Sequence, residues 1–156
     1  MSSKLWAKKR FEFSLGDKVS ILADKAFYRG SKQKIEAVGN VVITHYDDTL
    51  YGEQASIDLE AQKLRLVGNV RHTGQDLTLY GSELDYNLAT ERLVLTSARI
   101  HSTDFTLVGD RIERTGPRQF KVDKGEYTTC KDCPESWSVF GDEVTIDIGE
   151  YVKIKH

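Results

Sequence analysis

The most compact chemical motif in this sequence is Cys130-Lys-Asp-Cys133, followed directly by Pro134. Two thiols at this spacing serve either as a redox pair or as half of a zinc site. A thioredoxin-like dithiol needs its first sulfur at the start of a helix within a βαβ unit, whereas this pair follows a predicted strand and precedes proline. Structural zinc needs two further ligands. The histidines stand at 45, 72, 101 and 156 and there is no second cysteine pair, so no metal set is completed.

Other residue types are equally poor in chemistry. His45, His72 and His101 recur near predicted turns, but no two lie one residue apart on a strand ahead of a glutamate, as a cupin-like metal site would require. They are expected to be solvent-facing turn residues. Aspartates and glutamates are numerous enough to suggest paired carboxylates for glycoside hydrolysis. Their recurrence at the same point of every repeat, set out next, argues instead for a structural job at strand ends. No credible Ser-His-Asp arrangement or phosphate-binding loop is found, and the residues call for no catalytic group, no metal and no cofactor.

The elements that carry these residues are organised by a repeat. Its anchors are Ala23, Gly52, Gly81, Gly109 and Gly141, spaced by 29, 29, 28 and 32 residues. An acidic residue follows near each anchor: Asp24, Glu53, Glu83, Asp110 and Asp142. A Val-Gly-Asn-Val element appears twice, at Val38 to Val41 and at Val67 to Val70. Between these points apolar and polar residues alternate with period 2, Val, Ile, Leu, Thr and Tyr are frequent, and Gly, Asn and Asp punctuate. This predicts half-buried strands joined by tight turns. The best helical candidate, Asp58 to Leu66, fits a strand, a turn and a second strand better. Glycines recurring inside strand patterns predict bulges or corners. Strands bent at such corners fold over into two stacked antiparallel sheets with one apolar seam between them. The expectation is an all-β jellyroll or flattened solenoid of about five repeats of 28–32 residues. Its seam is expected to comprise Ile43, Leu64, Leu66, Leu77, Leu79, Leu84, Leu93, Leu95, Phe105, Leu107, Ile112, Phe120 and Val122.

Composition agrees with one domain and excludes several partners. The chain has 156 residues, enough for a core without staples. Its net charge of −2, with acidic and basic residues interspersed, argues against a nucleic-acid partner, because phosphate binding draws on an excess of Lys and Arg. No run reaches the roughly 20 consecutive apolar residues of a membrane-spanning helix. Residues 1–18 are read as an N-terminal extension or vector-derived leader, and 19–156 as the domain.

Two stretches carry a resemblance. Val38-Gly-Asn-Val-Val-Ile-Thr44 with Leu50-Tyr-Gly-Glu-Gln-Ala-Ser-Ile-Asp58, then Val67-Gly-Asn-Val70 with Leu79-Tyr-Gly-Ser-Glu-Leu-Asp85, resemble the OstA-type repeat of lipopolysaccharide-transport proteins. That family includes the free-standing bridge protein LptA and the amino-terminal domain of LptD-type proteins. Gly125-Glu-Tyr-Thr-Thr-Cys130 and Trp137 to Asp147 resemble the end of the LptD-type jellyroll, just before its outer-membrane barrel.

The resemblance implies an OstA-like jellyroll on the periplasmic side of the outer membrane in a two-membrane bacterium. Part of the seam would then be a groove for the acyl chains of lipid A, gaining about 0.8 kcal/mol per buried methylene. It implies a disulfide role for Cys130 or Cys133, with each other or with cysteines of the barrel. The implied partners are lipopolysaccharide, an LptA-type bridge adding a strand near Val19 to Tyr28, the barrel itself and the lipoprotein LptE. A free-standing LptA-type bridge and a lipid-free β-repeat scaffold are the alternatives.

Overall fold

Inward-pointing residues alternate with outward ones along almost every strand, and this alternation builds the molecule. In Lys34–His45 the buried positions are Ile35 and Ala37, then Val41, Ile43 and His45, with polar or exposed residues between them. The computed structural model describes residues 11–15, 19–74, 77–129 and 138–155. Its strands are β1 (Phe11–Leu15), β2 (Val19–Ala23), β3 (Lys25–Arg29), β4 (Lys34–His45), β5 (Asp48–Asp58), β6 (Lys63–Gly74), β7 (Leu77–Asn87), β8 (Leu93–His101), β9 (Thr106–Gly116), β10 (Gln119–Thr128), β11 (Val139–Asp147) and β12 (Tyr151–Lys155). Among the described residues there is no α-helix, only one 3₁₀ turn at Gly30–Lys32. The segment Asp58 to Leu66 is the end of β5, a turn and the start of β6, as expected from its pattern.

The strands form an antiparallel meander in the order β1-β2-β4-β5-β6-β7-β8-β9-β10-β11-β12. β3 lies off this path and pairs with the first half of β4, while β2 pairs with its second half. Together β2 and β3 thus do the work of one long strand interrupted at Asp24. The two stacked layers expected from the sequence are the two halves of this single sheet, folded over at the middle of its long strands.

The fold line runs through the glycines. Gly39 and Gly68 have φ of +86° and +88°, and the asparagines after them, Asn40 and Asn69, also lie in the left-handed region. Each Gly-Asn pair inserts a bulge: the register slips between Val38 and Val41 and between Val67 and Val70. Bulges of this kind bend a strand and increase its twist. The anchor glycines on the intervening strands do a different job. A Cβ at Gly52 would come within 2.8 Å of Leu66 Cδ2, and one at Gly81 within 2.6 Å of Leu95 Cδ2, so the absent side chain makes room for a core leucine of the next strand.

Two details depart from the sequence reading. Phe11–Leu15, within the stretch read as a leader, is strand β1 and pairs with β2 from Phe11↔Ala23 to Leu15↔Val19. β1 therefore covers the β2 part of the segment expected to receive a partner strand. The β3 part, Lys25–Arg29, pairs among the described residues with β4.

Candidate functional site: the apolar interior and its polar mouth

The seam predicted from alternation is the interior of the folded sheet. Ile43, Leu64, Leu66, Leu79, Leu84, Leu93, Leu95, Phe105, Leu107, Ile112, Phe120 and Val122 are all buried, and Leu77 is partly buried against them. Ile21, Ile35, Ile57, Val144 and Ile146 extend the same core toward both ends of the meander. Side chains from both layers fill the space between them. Cys130, Cys133 and Trp137 lie outside the described residues.

Opposite the fold line, where the strands end in hairpins, the interior reaches its mouth, and there the packing changes character. His45 and Asp48 face each other across the two-residue hairpin Tyr46-Asp47, whose Tyr46 adopts φ +54°. Both side chains point inward. His72 on β6 joins them, its Nε2 2.7 Å from Asp48 Oδ1. From the opposite layer come Tyr86 near the end of β7 and Arg114 near the end of β9. Arg114 Nη1 and Nη2 donate to Asp48 Oδ1 and Oδ2 at 2.8 Å each, a two-pronged ion pair. The Tyr86 hydroxyl donates to Oδ2 at 2.8 Å. With its one proton committed there, that hydroxyl accepts from His45 Nδ1 at 2.7 Å, which fixes the tautomer of His45. Arg114 Nε also donates to the Glu91 carbonyl at 3.1 Å. That carbonyl is presented by the turn after β7, where Asn87 Oδ1 accepts from the backbone of Ala89 and Thr90 and Glu91 takes φ +62°.

Asp48 therefore accepts four hydrogen bonds, two of them from a guanidinium, while its side chain is only 9% exposed. Burial alone would push its carboxyl up, but the bonds from Arg114 and His72 and the charge of Arg114 outweigh burial and hold it well below the usual carboxylate range. Burial, followed by the bond and charge of Asp48, raises the Tyr86 phenol far above its ordinary value. In Arg114 burial works against the charge, and the bond and charge of Asp48 more than restore it. The cluster is an ion pair of Asp48 and Arg114, with His72 and Tyr86 hydrogen-bonded to the same carboxylate.

This corrects the reading of the histidines as solvent-facing. His45 and His72 are each 3% exposed, and only His101 is exposed as expected. A sequence signal existed. His45 continues the inward series Val41, Ile43, and His72 continues from Val70, so each has the parity of the core. Tyr86 likewise follows Leu84, and Arg114 follows Ile112. The recurrent acids do hold the structural role expected of them at two corners, where Asn40 Nδ2 donates to Asp24 Oδ2 and Asn69 Nδ2 to Glu53 Oε1. Among the described residues no group of three or more His, Cys, Asp or Glu side chains is placed to hold a metal ion.

A cavity of about 500 Å³ opens on the cluster. Asp48, His72, Arg92, Arg114 and Arg118 line it together with the apolar Leu77, Phe120 and Ile148. The arrangement has no nucleophile next to a base; what it offers is an apolar interior behind a buried ion pair.

Fold and site together define a β-jellyroll made by folding one antiparallel sheet over an apolar interior. A similar fold is found in the crystal structure of LptH, described as the LptA-homologous periplasmic component of the conserved lipopolysaccharide transport device from Pseudomonas aeruginosa, with a TM-score of 0.56 and 17% identity over 78% of this chain and 92% of that one. At that identity the likeness is one of fold. The family is settled by sequence: residues 20–120 match the family described as LptA/(LptD N-terminal domain) LPS transport protein, and the chain belongs to it. Its role is in lipopolysaccharide transport. No curated protein matches the sequence.

Proposed function

We propose that this domain carries the acyl chains of lipid A in its apolar interior and passes the lipid from a periplasmic bridge to the outer-membrane translocon, as the jellyroll of an LptD-type protein on the periplasmic side of the outer membrane. The observation that carries this reading is the continuous apolar seam from Ile21 to Ile146, enclosed between the two halves of one folded sheet. Nothing needs to be made or broken: acyl chains replace side chain contacts between the layers, and the phosphorylated sugars stay in water. Family membership supports the transport role. The sequence Gly125-Glu-Tyr-Thr-Thr-Cys130 and Trp137 support the LptD type over the free-standing bridge. In that reading Cys130 or Cys133 forms a disulfide, and the partners are the barrel and LptE on one side. On the other an LptA-type bridge adds its last strand at the β1 end of the sheet, near Val19 to Tyr28, where an edge strand's backbone groups favour augmentation.

A second reading has its own support. The seam residues are closely covered in this structure, most of them 0–3% exposed, which suits a scaffold that assembles without lipid. Photo-crosslinking to lipopolysaccharide separates the two. Reactive groups are placed at Leu79, Leu95 and Leu107, with Thr78, Val94 and Thr106 on the opposite strand face as controls. Crosslinks at the leucines alone support the conduit. No crosslinks at either set in folded protein would leave the scaffold reading.

A further inference from the structure

A buried ion pair inside an apolar carrier needs an explanation beyond stability. Pairs of this kind are often replaceable by apolar residues of similar size without loss, because the desolvation of two charges offsets their attraction. Yet here His72, Tyr86 and Arg114 converge on the Asp48 carboxylate and His45 joins through Tyr86, five polar side chains from five strands placed where the two layers meet at the mouth. His45, Asp48 and His72 stand on one rim, on β4, β5 and β6. Tyr86 and Arg114 stand on the other, on β7 and β9. Every bond between the two sets crosses the mouth: Arg114 to Asp48 twice, Tyr86 to Asp48, and His45 to Tyr86.

We infer that Asp48 and Arg114 form a clasp that holds the two rims together, and that acyl chains enter the interior sideways, through the mouth, when this clasp parts. The inference rests on the lipid-carrying reading and adds to it the residues that control access.

Three features make the clasp suited to opening and reclosing. The cavity lies directly outside it and has an amphipathic lining, with Leu77, Phe120 and Ile148 beside Arg92 and Arg118, so an acyl chain has an apolar surface to rest on before the rims separate. Asp48 keeps one partner on its own side when Arg114 leaves: His72 Nε2 lies on the same rim, so the carboxylate is not stripped of hydrogen bonds as the layers move. Arg114 keeps one as well, because the Glu91 carbonyl belongs to its own layer. The fork of a guanidinium on a carboxylate is also geometrically demanding, which returns the rims to one position on closing.

The test is the rate at which an acyl chain enters. The probe is cis-parinaric acid, whose fluorescence rises in apolar surroundings, mixed rapidly with the whole chain. Asp48→Asn and Arg114→Gln are expected to raise both the uptake rate and the release rate at least fivefold, with affinity changed much less, because a gate alters the barrier more than the end states. Arg114→Lys, which keeps the charge and loses the fork, falls between. Ile57→Val serves as control, since it loosens a buried core position whose ladder partners, Ile35 and Leu64, are not members of the clasp, and it should leave both rates within twofold of the unaltered chain. Equal rates in the unaltered chain, Asp48→Asn and Arg114→Gln would overturn the clasp while leaving the carrier intact, with chains entering from the ends of the sheet. An Ile57→Val variant as fast as Asp48→Asn would overturn it too, since general loosening would then suffice. If no protein takes up the probe and the leucine positions give no lipopolysaccharide crosslinks, the carrier reading fails and the clasp with it.

Discussion

Asn69 donates from its side-chain amide to Glu53 across the fold line at 2.6 Å, and one repeat earlier Asn40 makes the same bond to Asp24 at 3.0 Å, over the same separation of 16 residues. The acids that follow the first two anchors thus each tie down the bulge of the strand after the next turn. Asn69 sits at φ +44°, a conformation that asparagine and glycine tolerate and alanine does not. Asn69→Ala is expected to be less stable than Asn69→Gly by about 1 kcal/mol, although alanine is the better residue in ordinary strands. Urea midpoints of the two variants decide it, and equal midpoints would show that the left-handed backbone is not what the position requires.

The contact between Gly52 and Leu66 makes a second prediction. A Cβ at residue 52 would lie 2.8 Å from Leu66 Cδ2 with only that side chain in the way. Gly52→Ala should cost about 1–3 kcal/mol by overpacking. In a Leu66→Ala background, which itself costs about 2–5 kcal/mol, the added methyl should cost much less. A double-mutant cycle with coupling of about 1 kcal/mol or more is expected. Additive costs would mean that the strain lies in the backbone.

The clasp should dominate the acid limb of stability. Removing one partner of a buried ion pair leaves the other uncompensated, so Asp48→Asn should cost about 3 kcal/mol at neutral pH. Asp48 is held well below the unfolded value of about 3.9, so its contribution is fully present above that value and is lost as the pH falls toward the folded one. Urea titrations at several pH values should therefore show a gap between the unaltered chain and Asp48→Asn that is constant from about pH 5 to 8 and narrows from about pH 4 downward. A gap undiminished at pH 2 would mean that the carboxylate charge is not its source.

Tyr86→Phe removes a single buried hydroxyl that gives one bond and takes another. The loss should be about 1–3 kcal/mol, because His45 Nδ1 and an Asp48 lone pair would each be left without a partner. His101→Ala, at an exposed position, should stay within about 0.5 kcal/mol. If the two variants were equally mild, the buried network would not be stabilising.

What could be read in advance follows the same physics. Alternation specified the strands because each inward position, such as Ile35 or Leu95, had to be apolar and its neighbours did not. The Gly-Asn pairs marked corners because glycine and asparagine take positive φ more readily than other residues. The polar mouth stayed hidden for two reasons. Its members come from five strands, with Asp48 and Arg114 separated by 66 residues, so no local motif joins them. The histidines also stand next to turns, where exposure is the default, and only their parity with Ile43 and Val70 betrays that they face inward. The β1 pairing was missed because its five residues stand apart from the repeat.

The meander described above also governs how the chain reaches its structure. From β4 to β12 each strand pairs with the one just before it, across connections of only a few residues where they are described. Closing such short loops loses little entropy, and assembly can spread from strand to strand as in a linear array. A polypeptide delivered end first could add each new strand to an edge already in place, well before its last residues arrive. Ordering in that sequence leaves one growing edge exposed at any moment, and the closing of Arg114 onto Asp48 must wait until β9 has been laid down.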